Sequence, residues 1–373
     1  MKTFTELNLS PVLQGNLAKQ GFVQPTPVQA ESIPPALAGR DVVATAQTGT
    51  GKTLAFALPL IERLAKGGGA VRGIRAVVLS PTRELALQIN EAFTKIAAGT
   101  GIRSAVVVGG MSEQHQLQNL RRGAQVAIAT PGRLCDFLKR RLVNLSTVQV
   151  IVLDEADRML DMGFLPDLRM ILKEVPVERQ TLLFSATIEQ SVAHLVQTYV
   201  KDPVRVTIGT MTKPAEQVDL HLYEVERDHK LGLLTSLLSR EGGSFLVFAR
   251  TKHGTDRLAN SLSRAGVNAA RIHGDRTQGQ RNQALRGFKD GTYRVLVATD
   301  LAARGIHVDG IAHVVNYDLP QVPEDFIHRV GRTGRAGARG TASTFSARSE
   351  RSEIRKIERV IGVRMAQQLT SKN

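Results

Sequence analysis

Val150-Ile151-Val152-Leu153-Asp154-Glu155-Ala156-Asp157 is the stretch that decides the fold. Its first four residues are apolar and three of those are β-branched, which makes a strand covered on both faces, the habit of parallel sheets. Three carboxylates crowd its C-terminal end, where mutual repulsion calls for a cation or a catalytic task to hold them. Well upstream, a second apolar run, Asp41-Val42-Val43-Ala44-Thr45, leads into Ala46-Gln47-Thr48-Gly49-Thr50-Gly51-Lys52-Thr53. Together the two stretches predict a nucleotide-phosphate site with its magnesium, at the C-terminal strand edges of an open α/β sheet.

Runs of the same kind recur at 76–80, 104–108, 126–130 and 181–185, with helical stretches between them. The periodicity lapses around 209–215, which is expected to be a linker, and restarts at 218–225, 244–249, 267–272, 294–299 and 312–317. Two similar α/β units in tandem follow, 1–208 and 216–373, of which only the first carries a phosphate loop. The second is expected to be a partner that closes on the first. Residues 4–40 read as helical, cut into short pieces by Pro25, Pro27, Pro34 and Pro35, and 349–360 as a final helix.

The 373 residues are too many for one core, and no segment approaches the roughly 18 uninterrupted apolar residues of a membrane span. A single cysteine, Cys135, excludes intrachain disulfides and a cysteine-based metal site, which suits a reducing cytoplasm. The formal net charge is +15, shared as +7 over residues 1–215 and +8 over 216–373. Both halves are basic, as expected if both touch one polyanion. With 4% aromatics and no Trp, a grip on the phosphate backbone is favoured over stacking of bases on aromatic platforms.

In the loop, Gly49 and Gly51 let backbone N–H groups turn toward phosphate oxygens, with Thr48 and Thr50 between and beside them. Lys52 supplies a point charge to the β and γ phosphates, and Thr53 a hydroxyl for Mg²⁺. Asp154 would hold Mg²⁺ through water, Glu155 would orient or deprotonate the attacking water, and Asp157 would anchor neighbouring hydroxyls. Taken alone, the acidic trio also suits an N-capping turn on a helix starting near Ala156. In the second unit, His328-Arg329-Val330-Gly331-Arg332-Thr333-Gly334-Arg335 carries arginines at spacing three. They suit a solvated basic turn or, more pointedly, two arginine fingers, Arg332 and Arg335, directed at the γ-phosphate.

These residues resemble the DEAD-box RNA helicases, whose name-giving tetrad is present as Asp154-Glu155-Ala156-Asp157, and family motifs cover the chain from Phe4 to about residue 360. The resemblance implies two tandem RecA-like domains, each a parallel sheet flanked by helices. It also implies an adenine-reading motif of Phe4, Phe22 and Gln29, with Gln29 on the adenine edge and Phe22 on the ring. His328 joins the catalytic set on the same ground, and Ser185 and Thr187, with Asp157, become the segment that couples hydrolysis to unwinding. RNA contacts are implied at Arg83, Gly110, Thr130, Pro131 and Arg133 in the first domain, and at Arg250, Thr251, Gly274, Gln278 and Thr299 in the second. Arg, Thr, Gly and Pro in such places suit backbone contacts, which carry no base information.

The clearest departure is His307, where the family usually has an aspartate that contacts the ribose hydroxyls. The expected activity is RNA-stimulated ATP hydrolysis, with ATP and Mg²⁺ as cofactors, driving local, non-processive remodelling of single-stranded or short duplex RNA, with no membrane involved. The rivals are a DNA-directed translocase of the same superfamily and a non-enzymatic RNA clamp or annealing scaffold.

Overall fold

The computed structural model describes residues 1–46, 49–67, 73–208, 217–303, 310–334 and 339–368. Contacts divide the chain into two units, Met1–Met211 and Thr212–Asn373. The expected linker, 209–215, lies outside the described residues.

The first unit opens with helices α1 (Pro11–Lys19) and α2 (Pro27–Leu37). Strand β1 (Val42–Thr45), α3 (Lys52–Lys66), β2 (Ala76–Leu79), α4 (Arg83–Ile96), β3 (Ser104–Val107), α5 (Glu113–Arg121), β4 (Val126–Ala129) and α6 (Pro131–Lys139) follow. Next come β5 (Val150–Leu153), α7 (Ala156–Asp161), α8 (Leu165–Glu174), β6 (Gln180–Ser185), α9 (Gln190–Tyr199) and β7 (Val204–Thr207). All pairings are parallel, in the order β3-β4-β2-β5-β6-β1-β7.

Every residue of β1, β2, β4 and β5 is buried, because helices cover both faces. Val42, Val78, Ile128, Val152 and Phe184 pack with Leu54, Phe56, Ile61 and Phe93 on one side. Val43, Leu79, Ile151 and Leu183 pack with Leu134, Phe137, Leu168 and Val192 on the other. At about 1.5–3 kcal/mol for each large side chain fully buried, this two-sided burial is the main term holding the sheet together.

The opening prolines do not all act as breakers. Pro27 sits at the start of α2, where its missing N–H costs nothing, but the helix runs on through Pro34 and Pro35 to Leu37. Tertiary packing of Val28, Ile33 and Ala36, all buried, overrides the local penalty. Glu62 on α3 pins the segment ahead of α1. Its carboxylate accepts from the Ser10 N–H (3.1 Å to each oxygen), the Ser10 hydroxyl (2.9 Å) and Lys66 Nζ (2.8 Å).

The second unit runs β8 (Val218–Glu224), α10 (Lys230–Arg240), β9 (Phe245–Phe248), α11 (Lys252–Arg264), β10 (Ala269–Ile272), α12 (Gln278–Lys289) and β11 (Val295–Ala298). It continues with α13 (Asp300–Ala303), β12 (His313–Asn316), α14 (Glu324–Val330), β13 (Gly340–Ser346), α15 (Arg351–Ile361) and β14 (Ala366–Gln368). Its sheet is also parallel, ordered β10-β11-β9-β12-β13-β8-β14. Counted from the first strand of each unit, this wiring is that of the first sheet, strand for strand.

Three strands, β7, β13 and β14, are absent from the sequence expectation. Val204-Arg205-Val206-Thr207 is an edge strand with only Val206 buried. Gly340-Thr341-Ala342-Ser343-Thr344-Phe345-Ser346 is central, but most of its residues are small and polar, so it shows no apolar run. Its buried Thr344 hydroxyl is satisfied by Asn316 Nδ2 at 3.2 Å.

Candidate active site

In the first unit the singled-out residues gather beyond the C-terminal strand ends. After β1 the chain reaches Gly49 and Gly51, both at φ +89°, a region that favours glycine. At Gly51 a side chain would also strike the Gln29 carboxamide. Gln29 is buried, not solvated as its sequence position alone suggests. Its Nε2 donates to the Gly51 carbonyl (3.0 Å) and its Oε1 accepts from the Thr26 N–H (2.9 Å), while the Thr26 hydroxyl donates to the Thr50 carbonyl (2.7 Å). The start of α2 is thereby fastened to the glycine loop.

Phe22 is 37% exposed and offers an open ring; Phe4, 3% exposed, is a core residue packed edge-on against it at 6.3 Å. Phe4 therefore backs Phe22 and has no free face of its own. Lys52, the first residue of α3, is 6% exposed and donates from Nζ to the Ala46 carbonyl at 3.1 Å. Thr53 follows it, half-buried, and Thr48 lies outside the described residues.

Beyond β5, Asp154 is 3% exposed. Burial pushes its carboxyl up to about 7; Lys52 and the Glu155 N–H oppose the rise, while the charges of Glu155 and Asp157 add to it. Glu155 stands at φ +52°, ψ +54°, a left-handed conformation that costs a non-glycine residue about 1–3 kcal/mol. It occupies the N-cap position of α7 but makes no side-chain cap hydrogen bond; in the first turn it is Asp157 Oδ1 that accepts, from the Arg158 N–H at 2.9 Å.

Asp157 points the other way along the edge. Its Oδ2 accepts from the Ala186 N–H (2.9 Å), the Thr187 N–H (2.8 Å) and the Thr187 hydroxyl (3.2 Å), and its own N–H donates to Ser185 Oγ (3.2 Å). The acidic turn after β5 and the Ser185-Ala186-Thr187 segment after β6 are thus one hydrogen-bonded body.

The implied polynucleotide contacts of this unit follow β2, β3 and β4. Thr82 caps α4, accepting from the Leu85 N–H at 3.3 Å, and Arg83 Nη1 donates to the Gly109 carbonyl at 2.9 Å. Gly110, at φ +74°, leaves the space that this guanidinium occupies. Thr130 and Pro131 start α6. Arg133 pairs with Glu113 (3.2 Å) and Asp136 (3.4 Å), and Arg140 shares both carboxylates. Sequence reasoning missed Gln116. This buried amide holds the 108–111 turn by accepting from the Val108 N–H (3.0 Å) and donating to the Val108 (2.9 Å) and Met111 (3.3 Å) carbonyls. A glutamine on a helix gives no local signal of such a task.

In the strand order, β3-β4-β2 carry the implied polynucleotide contacts, β5 and β1 the implied nucleotide residues, and β6, between those two, the implied coupling segment.

In the second unit Arg250 follows β9; its N–H donates to Asp318 Oδ2 (2.9 Å) and its guanidinium pairs with Glu350 (3.4 Å). Thr251 caps α11, Gly274 follows β10 and Thr299 follows β11. The Gln278 side chain, Arg335 and His307 lie outside the described residues. Of the arginine run, Arg329 is not solvated: 2% exposed, it binds both carboxylate oxygens of Asp300 through its Nε–Nη2 edge and lies over the Phe248 ring at 4.9 Å. Arg332 is also buried and donates from Nε to the His328 carbonyl at 3.2 Å. The solvated basic turn is therefore excluded for both.

Two parallel sheets of one wiring, the first bearing a glycine loop after β1 and an acidic turn after β5, define a tandem RecA-like phosphate-loop protein. Residues 26–195 match the DEAD/DEAH box helicase family and residues 229–337 the helicase conserved C-terminal domain. The chain belongs to the DEAD-box helicase family.

It is 43% identical over 329 residues to the DEAD-box ATP-dependent RNA helicase CshA of Streptococcus pneumoniae, covering 88% of this chain and 62% of that protein. To the protein of that name from Geobacillus kaustophilus it is 42% identical over 332 residues, 89% of this chain and 70% of the relative. The chain thus spans 62% of the length of the pneumococcal relative. The structure of S. cerevisiae Dbp5 bound to RNA and ADP BeF3 superposes with a TM-score of 0.89 at 30% identity, over 99% of this chain and 96% of that one.

Proposed function

We propose that this chain is an ATP-dependent RNA helicase that performs local, non-processive unwinding or remodelling of RNA, in the cytoplasm. The observation that carries the proposal is the Asp157 carboxylate, which ties the acidic turn to Thr187 at 2.8 Å. Through it, whatever happens at the phosphates is felt by the next strand. The CshA relatives are named ATP-dependent RNA helicases, and Dbp5 is bound to RNA and a nucleotide analogue.

Within the first unit, Gln29 and Phe22 would read and stack adenine, and the turn at Gly49 to Gly51 with Lys52 would cradle the phosphates. The donor set fits magnesium. Thr53 and the buried Asp154 offer hard oxygen atoms beyond β1 and β5. Among the described residues no group of three or more His, Cys, Asp or Glu is placed to hold a metal ion by itself, so phosphates and water would complete the shell. Bound Mg²⁺ would supply charge neutralisation at the β and γ phosphates.

Glu155 would orient the attacking water and accept its proton, its strained backbone fixing the direction of the carboxylate. Arg332, Arg335 and His328 would complete the reaction centre from the second unit when nucleotide and RNA draw the units together. RNA would be held by its backbone at Arg83, Gly110, Thr130, Pro131 and Arg133, and at Arg250, Thr251, Gly274, Gln278 and Thr299. Stacking is worth about 1.4 kcal/mol per base-pair step, so one closure disrupts only a few pairs.

The test is steady-state ATP hydrolysis with and without single-stranded RNA, with DNA as control. Strong stimulation by RNA alone is expected. Equal stimulation by DNA would make the chain a DNA translocase, and no hydrolysis at all would make it a clamp.

A further inference from the structure

The identical wiring of the two sheets gives the second unit a place equivalent to the nucleotide site of the first. The strand equivalent to β1 is β8, that equivalent to β5 is β12, and that equivalent to β2 is β9. A cavity of about 810 Å³ lies at their C-terminal ends. The equivalence extends to side chains. Lys230 is the first residue of α10 as Lys52 is of α3, both lysines are buried, and each gives its Nζ to a backbone carbonyl, here Tyr317 at 2.8 Å. Thr251 caps α11 as Thr82 caps α4, accepting from the Gly254 N–H at 3.0 Å.

The phosphate loop itself is not reproduced. Between β8 and α10 the chain runs Val225-Glu226-Arg227-Asp228-His229, with no glycine, and forms a 3-10 turn at Arg227–His229. Glu226 and Asp228 line the cavity, and their charge disfavours a triphosphate. The positive groups divide into two kinds. Lys230 and Arg250 are committed, the first to the Tyr317 carbonyl and Asp318 (3.7 Å), the second to Glu350. Arg227 and Arg257 line the same cavity, are exposed, and have no guanidinium partner among the described residues. Tyr317 lines the same cavity, with Lys230 Nζ over its ring at 5.8 Å from the centroid.

Two uncommitted arginines beside an aromatic ring, at the capped N-terminus of a 13-residue helix, suit one phosphate and one base. We infer that this cavity of the second unit binds a single nucleoside monophosphate unit, with Arg227 and Arg257 on the phosphate and Tyr317 against the base. The unit is either a free mononucleotide or a flanking nucleotide of bound RNA; the second case rests on the function proposed above.

The test uses the full chain with a saturating non-hydrolysable ATP analogue and Mg²⁺, so that the first unit's nucleotide site is filled. Uridine monophosphate is then titrated against the parent and the double variant Arg227→Ala/Arg257→Ala, and single-stranded RNA affinity is measured as a function of salt for both. Thermal midpoints confirm that the variant folds. If the ligand is free, the parent binds uridine monophosphate with a Kd on the order of 1 mM and the variant at least tenfold more weakly. If it is part of RNA, the variant instead loses RNA affinity, and its log–log salt slope falls by about 0.7 for the one phosphate released. Uridine monophosphate binding that the variant retains, or neither effect, overturns the inference. Failure of the helicase proposal is distinguishable, because it appears in the parent as ATP hydrolysis that RNA does not stimulate.

Discussion

Asp300 and Arg329 meet edge to edge, Nε to Oδ1 at 2.5 Å and Nη2 to Oδ2 at 2.7 Å, joining the end of β11 to α14. Asn316 Oδ1 (3.1 Å) and the Asp318 carbonyl (2.7 Å) take the remaining guanidinium edge. Removing Asp300 leaves the Arg329 charge buried without its carboxylate partner. Asp300→Ala is expected to destabilise the second unit by about 3–5 kcal/mol, read from its urea transition. Replacing both members by apolar residues of similar size, Arg329→Met with Asp300→Leu, is expected to cost much less. Equal losses would show that the pair is dispensable and that the aliphatic packing matters instead.

Asp157→Asn sets an amide N–H against a donor in either orientation, since Oδ2 accepts three hydrogen bonds and Oδ1 accepts the Arg158 N–H. Loss of alignment between the acidic turn and Thr187 is expected to lower RNA unwinding per ATP hydrolysed, with a cost of about 1–3 kcal/mol at the linkage. Strand-displacement and phosphate-release assays on the same preparation measure that ratio. An unchanged ratio would remove Asp157 from the coupling path.

Asp154→Asn is expected to stabilise the nucleotide-free protein while reducing hydrolysis at least a hundredfold. The folded carboxyl, held at about 7 by burial, lies above its unfolded value of 3.8. The stabilising effect of its proton is therefore complete below about 3.8 and lost as pH rises through about 7. At pH 8 the parent carries a buried charge that the variant lacks. The variant's gain in thermal midpoint, a few degrees, should be present at pH 8 and shrink toward pH 4.

Glu62 titrates with the opposite sign. Burial alone would raise its carboxyl, but hydrogen bonds from Lys66 and Ser10 prevail and hold it below its ordinary value of 4.5. Its stabilising effect is present above about 4.5 and disappears as pH falls through the lowered folded value. Glu62→Gln is expected to lose on the order of 1 kcal/mol at pH 7 and nothing near pH 2, measured by urea unfolding at both.

The strands that were legible in the sequence are those buried on both faces, since continuous apolar runs such as 150–153 leave no alternative. The strand at 340–346 was not, because hydrogen bonds between small polar groups replace apolar contact there. The glycine loop and the acidic trio could be found from spacing alone. The structural role of Arg329 could not: it is set apart by Asp300, 29 positions away, and no local pattern announces that pair. Gln116 escaped for the same reason, since its partners at 108 and 111 are backbone atoms.

In the first sheet, β2 is the innermost strand of the half with the implied polynucleotide contacts and β5 that of the other half, and the two are direct neighbours, with Leu79 beside Leu153. On the proposed function, the frontier between polynucleotide and nucleotide is a single strand spacing, about 4.8 Å wide. An inhibitor seated astride that seam, over Ser80 and Asp154, would compete with both ligands at once. A resistance substitution that dislodged it would have to disturb one of the two binding surfaces.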